Sequence, residues 1–173
     1  KLLENLLYWA RIQMEKIEFL PELSALDSIV YHNISLLQLQ ADQKEIKITS
    51  NISDDIQVYA DQNMLNTVLR NLISNAIKFT KKGGAITISH SESEKYNKIS
   101  IEDDGIGISL KDQKKLFRID VNSTQLGTNK EKGTGLGLVL CKEMIDKHQG
   151  TIEVDSVQDA GTTFTFSLMK KTI

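Results

Sequence analysis

The 173 residues carry a formal net charge of −2 and a single cysteine, Cys141. That balance gives no electrostatic case for nucleic acid or an anionic membrane surface, excludes an internal disulfide, and fits a reducing, intracellular setting. No apolar run approaches the ~18 residues of a membrane span, and a chain of this length can bury roughly 70% of its unfolded surface in one core.

Leu2, Leu3, Leu6, Leu7, Ala10, Met14 and Ile17 recur at helical spacing, which predicts a helix over Lys1–Ile17 with a broad apolar stripe that needs a partner. Pro21, the only proline, marks a boundary, so residues 1–20 read as one unit and 21–173 as another. A second amphipathic helix is expected from Leu26 to about Lys44, with Asp27 or Ser24 as N-cap. Strands follow at Ile46–Thr49 and Gln57–Ala60, then a helix from Asp61 to about Thr80, ended by Gly83–Gly84. Ala85–His90 and Lys98–Glu102 alternate like half-buried strands. A short helix over Leu110–Phe117 precedes a polar stretch to Lys132, either a functional lid or a disordered segment, from which Arg118, Lys130 and Lys132 could reach an anion or simply face solvent. A helix over Thr134–Lys147, with Gly150 at its C′ position, and strands Thr151–Ser156 and Thr162–Leu168 close the chain. Strands and helices mix without a regular βαβ alternation, which predicts an α+β sandwich with a mixed sheet and helices on one face.

Three motifs carry the chemistry. On the Asp61–Thr80 helix, Asn71, Asn75 and Lys78 stand at i, i+4 and i+7, within roughly 60° of one another. Asparagines are poor helix formers, so their alignment with a lysine suggests a chemical role. Amide oxygens can complete the shell of Mg²⁺, and the ammonium can meet phosphate. The same spacing also suits a solvated helix face. Asp103-Asp104-Gly105-Ile106-Gly107 follows a strand; its first carboxylate could accept from an exocyclic amine such as that of adenine, and its glycines would let backbone pass close to a flat ring, though acidic surface turns look alike. Gly133-Thr134-Gly135-Leu136-Gly137-Leu138 precedes a helix, where free N–H groups favour phosphate. A purely structural glycine loop would read the same, and neither the Rossmann nor the P-loop fingerprint fits.

In this order the motifs resemble the N, G1 and G2 boxes of the catalytic, ATP-binding domain of bacterial sensor histidine kinases (HATPase_c), in the GHKL superfamily that also holds DNA gyrase and MutL. Leu116–Phe117 resembles the F box, without its second phenylalanine, and Gly161-Thr162-Thr163-Phe164 resembles the G3 strand. The resemblance implies a Bergerat-type two-layer α/β sandwich with a mobile ATP lid, preceded by an N-terminal helix that ends the dimerisation and phosphoacceptor domain. It implies that Asn75 coordinates Mg²⁺ with Asn71 in support, that Lys78 meets phosphate and that Phe79 flanks the nucleotide. By the same resemblance Asp103 should take the adenine amine, with Gly105, Gly107 and Ile108 beside the base and Thr162 in a water network with Asp103. Lys132, Gly133, Thr134, Gly135 and Gly137 should face the phosphates, with Leu136 and Leu138 packed behind. Asp104 stands where asparagine is commoner.

The implied function is donation of the ATP γ-phosphoryl group to a histidine and from there to a response-regulator aspartate, by a cytoplasmic domain whose parent is a homodimer, with an inner-membrane anchor for that parent left open. His32, His90 and His148 are followed by Asn33, Ser91 and Gln149, not by the acidic residue that follows the family's acceptor. With Lys1 in place of an initiator methionine, the chain reads as a fragment whose acceptor lies upstream. His148, at a helix end, reads as a partner for the helix dipole. Asn71 replaces the glutamate that activates water in hydrolysing relatives, which points away from an ATP hydrolase. A non-catalytic nucleotide-binding regulator is the other alternative.

Overall fold

The structure, a computed structural model, describes residues 18–118, 126–129, 131 and 135–171. The helix expected over Lys1–Ile17 lies outside these residues. Chain order is β1 (Glu22–Ala25), α1 (Leu26–Gln43), β2 (Lys47–Asn51), β3 (Gln57–Ala60), α2 (Gln62–Phe79), β4 (Ala85–Glu92), β5 (Tyr96–Asp103), α3 (Leu110–Gln113), α4 (Gly137–Lys147), β6 (Ile152–Val157) and β7 (Gly161–Met169).

Five strands form one mixed sheet in the order β2-β4-β5-β7-β6, parallel only between β2 and β4. Helices α1, α2 and α4 pack on one face of it, as expected of an α+β two-layer sandwich. Inward positions of the central strands are apolar: Ile86 and Ile88 in β4, Ile99 and Ile101 in β5, Phe164, Phe166 and Leu168 in β7. Outward positions carry Lys98, Glu102 and Glu153, which are exposed, and Ser100 and Thr165, whose hydroxyls pair at 2.9 Å. This alternation lets an antiparallel sheet face water on one side. On α2 the buried set is Met64, Leu65, Val68, Leu69, Leu72, Ile73, Ala76 and Ile77, a helical stripe laid against the sheet. Asp61 caps this helix by accepting from the N–H groups of Asn63 and Met64, each at 3.0 Å. No helix among the described residues is long and apolar enough to cross a membrane.

Three local expectations need correction, and one strand lacks a sequence signal. Glu22–Ala25 is a strand, paired antiparallel with β3 in a separate ribbon. Neither Ser24 nor Asp27 caps α1; the N-cap is Ala25, without a side-chain bond, and the Leu26 N–H instead donates to the Ile56 carbonyl at 3.0 Å. The α-helix expected over Leu110–Phe117 ends at Gln113, where turns take over. Helix α4 starts at Gly137, not Thr134, which leaves Gly135 and Leu136 in the loop ahead of it.

Candidate nucleotide-binding site

Period two along β5 delivers a carboxylate to the core side. Asn97, Ile99, Ile101 and Asp103 are its buried positions, so Asp103 continues an otherwise largely apolar inward row at the strand's last residue. Thr162 stands directly opposite in β7, first of its own inward row. Asp103 is 6% exposed. Burial pushes its carboxyl up to about 6; the Gly105 N–H, 2.9 Å from Oδ1, pulls the other way, as does the Thr162 backbone, while Asp104 and Glu102 add like charge. The site thus holds a buried acceptor, ionised at neutral pH and poorly solvated.

The loop after Asp103 is knitted to its surroundings by backbone. Ile106 N–H donates to the Phe79 carbonyl at 3.1 Å, which binds this loop to the end of α2. A Cβ on Gly105 would collide with that same carbonyl, and one on Gly107, at φ +62°, with the Val157 carbonyl. Approach of the protein's own backbone is therefore sufficient reason for both glycines, where the sequence suggests a passing ring. Ile108 N–H donates to Ser156 Oγ at 2.9 Å, Ser156 Oγ meets Thr162 Oγ1 at 2.9 Å, and Gln113 Nε2 donates to the carbonyls of Ile108 and Ser156, each at 2.8 Å. A chain of hydrogen bonds thereby links Ile108 to Thr162 and fixes the floor beside Asp103. Ser156 and Gln113 carry no sequence signal, since their partners lie in other elements.

The stripe on α2 is half-buried at Asn71, Asn75, Lys78 and Phe79. Asn71 Nδ2 donates to the Thr67 carbonyl at 2.9 Å, and its Oδ1 lies 3.0 Å from where a Gly137 Cβ would stand. The first turn of α4 therefore stands close against Asn71, where a Cβ at Gly137 would crowd the amide oxygen. Among the described residues no side chain caps that turn, so its N–H groups remain available to an anion. Below it, Val139, Leu140 and Cys141 anchor the helix in the core; burial pushes the Cys141 thiol up to about 12, which makes it inert. Leu136 and Leu138 are half-buried, and Gly135 takes φ +74°. Lys78 Nζ sits 4.7 Å from the Phe79 ring centroid; burial lowers its pKa, and the Glu131 charge raises it. Lys132, Gly133 and Thr134 lie outside the described residues, as does Lys130. The structure sets Asn71 against the α4 start, Lys78 beside Gly127 and Glu131, and Phe79 against the loop that follows Asp103, with Asp103, Gly105, Gly107, Ile108 and Thr162 grouped at that strand end. The donor set suits a magnesium nucleotide: neutral amide oxygens for a hard cation, an ammonium and uncapped N–H groups for phosphate, and a buried carboxylate for a base.

The family of histidine kinase-, DNA gyrase B- and HSP90-like ATPases matches residues 60–172, and the chain belongs to that family. Its curated relatives include the sensor histidine kinase WalK of Bacillus subtilis, 41% identical over 132 residues that cover 75% of this chain and 22% of that protein. Sporulation kinase A of the same species is 37% identical over 98% of this chain and 27% of its own length. The sensory kinase SasA of Crocosphaera subtropica is 40% identical over 92% and 40%. The chain thus spans less than half the length of these relatives. Among solved structures, a nucleotide-free catalytic domain of histidine kinase ThkA superposes with a TM-score of 0.75 at 27% identity, covering 89% of this chain and 97% of that one. Full-length ShkA in complex with AMPPNP shares the fold, with a TM-score of 0.81 at 22% identity over 99% of this chain and 36% of that one.

Proposed function

We propose that this chain is the ATP-holding half of a histidine kinase: it binds Mg–ATP and presents the γ-phosphoryl group to a histidine carried by a dimerisation domain, for onward transfer to a response-regulator aspartate. The observation that carries this reading is a buried strand-end carboxylate, Asp103, in the same fold as a half-buried Asn71–Asn75–Lys78 stripe whose Asn71 stands against the uncapped start of α4. Asp103 would accept from the exocyclic amine of adenine, a bond worth more inside the fold than in water. Asn75 would hold magnesium, with Asn71 supporting it; the bound ion supplies neutralisation of phosphate charge. Lys78, partly desolvated, is a short-range cation for phosphate. Phosphoryl transfer asks for positioning and charge stabilisation more than for covalent chemistry, and these groups provide both.

Asn71 separates this reading from hydrolysis. Its amide donates to Thr67 and has no basic carboxylate with which to activate water. The acceptor histidine would be supplied from outside this chain: His148 is buried and engaged through both ring nitrogens, His90 pairs with Asn97, and His32, though exposed, is followed by Asn33 and not by an acidic residue. Calorimetric titration with Mg–ADP tests the binding step directly. Saturable heat at a stoichiometry of one supports the reading, and no binding at millimolar nucleotide overturns it.

A further inference from the structure

Lys44 follows the last turn of α1, at the expected end of that amphipathic helix. Its side chain is instead 5% exposed and points under the end of α2. Nζ donates to the Ile77 carbonyl at 2.7 Å and to the Lys78 carbonyl at 3.1 Å, two last-turn acceptors that helix geometry leaves without partners. It also reaches Thr128 Oγ1, and Glu131 Oε1 at 3.4 Å. A buried ammonium is costly unless matched, and here carbonyl dipoles, a hydroxyl and a carboxylate surround it.

The residues on its far side form a closed turn. Gly127 N–H donates to the Glu131 carbonyl at 3.0 Å, and Asn129 N–H to Glu131 Oε2 at 2.7 Å. Burial pushes the Glu131 carboxyl up, but the N–H groups of Glu131 itself and of Asn129, with the Lys44 charge, outweigh it, so the group lies below its ordinary value. Thr128 N–H donates to the Lys78 carbonyl at 3.0 Å, and Thr128 Oγ1 donates to the Thr80 carbonyl at 2.9 Å. One ammonium therefore ties three elements: the end of α1, the turn of α2 that bears Lys78, and the segment that leads into the glycine motif at Gly133.

We propose that Lys44 is a positioning residue for the phosphate half of the site. It holds the backbone beneath Lys78 in register with Thr128 and Glu131, and its own ammonium is taken up by protein acceptors. This rests on the nucleotide-binding reading above. A structural cation would support stability alone; a positioning one biases affinity according to the number of phosphates. The experiment compares Mg–AMPPNP with AMP on the whole chain, in the native sequence and in Lys44→Met, Thr128→Val and Glu131→Gln. Lys44→Met is expected to weaken Mg–AMPPNP about tenfold and AMP less than about twofold, since small misplacements are felt where groups must converge. Thr128→Val and Glu131→Gln, at the half-buried rim, are expected to shift the same ratio in the same direction, and they decide the matter if Lys44→Met does not fold. Amide exchange without nucleotide should quicken at residues 126–129 and 131 in all three variants. An unchanged AMPPNP-to-AMP ratio in every folded variant overturns the proposal, as does unchanged exchange. If the native chain binds neither ligand, the functional reading falls, and the exchange measurement alone decides whether Lys44 anchors this segment.

Discussion

His148 Nε2 accepts a hydrogen bond from the Asp61 backbone N–H at 3.0 Å, and this bond joins the start of α2 to the end of α4. A backbone N–H can only donate, so Nε2 must be bare and Nδ1 must carry the proton, which goes to the Met144 carbonyl at 2.7 Å. The ring is neutral, and burial lowers its pKa from 6.5. The expected partnership with the helix dipole is therefore made by a neutral N–H and not by a charge. Phe19 meets the ring edge-on at 4.9 Å, and Leu20 N–H donates to Asp61 Oδ2 at 3.0 Å, so the chain entering the domain is fastened at the same point. The opposite ends of these two helices carry Lys78 and Gly137, so the junction sets how the two halves of the site stand.

A pH dependence follows. With a folded pKa below the unfolded value, His148 contributes stability that is complete above about pH 6.5 and is lost as pH falls through its folded value, because the unfolded chain takes up the proton first. Denaturant midpoints of the native chain minus those of His148→Gln should therefore shrink as pH drops below about 6.5. A difference flat from pH 8 to 5 contradicts the neutral assignment.

Asp103 works in the opposite sense. Its folded pKa of about 6 exceeds the ordinary value of 3.8, so its contribution is complete below the unfolded value and is lost as pH rises through about 6. Asp103→Asn should leave the nucleotide-free chain equally stable or more so at pH 7.5, by on the order of 2 kcal/mol. The same variant should lose most ADP affinity, because its amide cannot act as an anionic acceptor. Native ADP affinity should itself weaken as pH falls below about 6, where the carboxylate is protonated. Calorimetry across pH 5–8 measures both, and retained ADP affinity in Asp103→Asn removes Asp103 from the base subsite.

Gly107→Ala should destabilise the chain by about 2–4 kcal/mol, since a Cβ at φ +62° meets the Val157 carbonyl and neither backbone can retreat without breaking the β6–β7 turn. Chemical denaturation checks it. A cost below about 0.5 kcal/mol, the range of an ordinary surface substitution, shows that the loop is free to shift.

Incubation with γ-labelled ATP should leave no acid-labile phosphate on this chain alone. His148 is sealed between Asp61 and Met144, His90 is held by Asn97, and the exposed His32 has Asn33 after it in place of an acidic residue. Stable label on any of the three histidines would place the acceptor here and overturn the division of labour proposed above.

Residue order alone is enough to read the periodic features. Asn71, Asn75 and Lys78 share a face because 3.6 residues per turn puts them there, and the structure keeps them together. Helix α2 and most strands of the main sheet follow from apolar spacing for the same reason. β1 is illegible because four residues carry no period and take their conformation from β3. The burial of Lys44 has no sequence signal because its acceptors lie 33 or more residues away. The glycines of the strand-end loop are legible as necessary but not as to cause, since Phe79 and Val157 enter only through folding.

By itself, then, the sequence determined which side chains ride together on a helix or strand face, because backbone geometry repeats over a few residues. Which faces meet was decided by tertiary structure alone. Thr162 comes opposite Asp103 only because β7 pairs with β5, and Gly137 comes against Asn71 only because α4 packs on α2. Sheet order and helix packing minimise exposed apolar area over the whole chain, so no local stretch contains them.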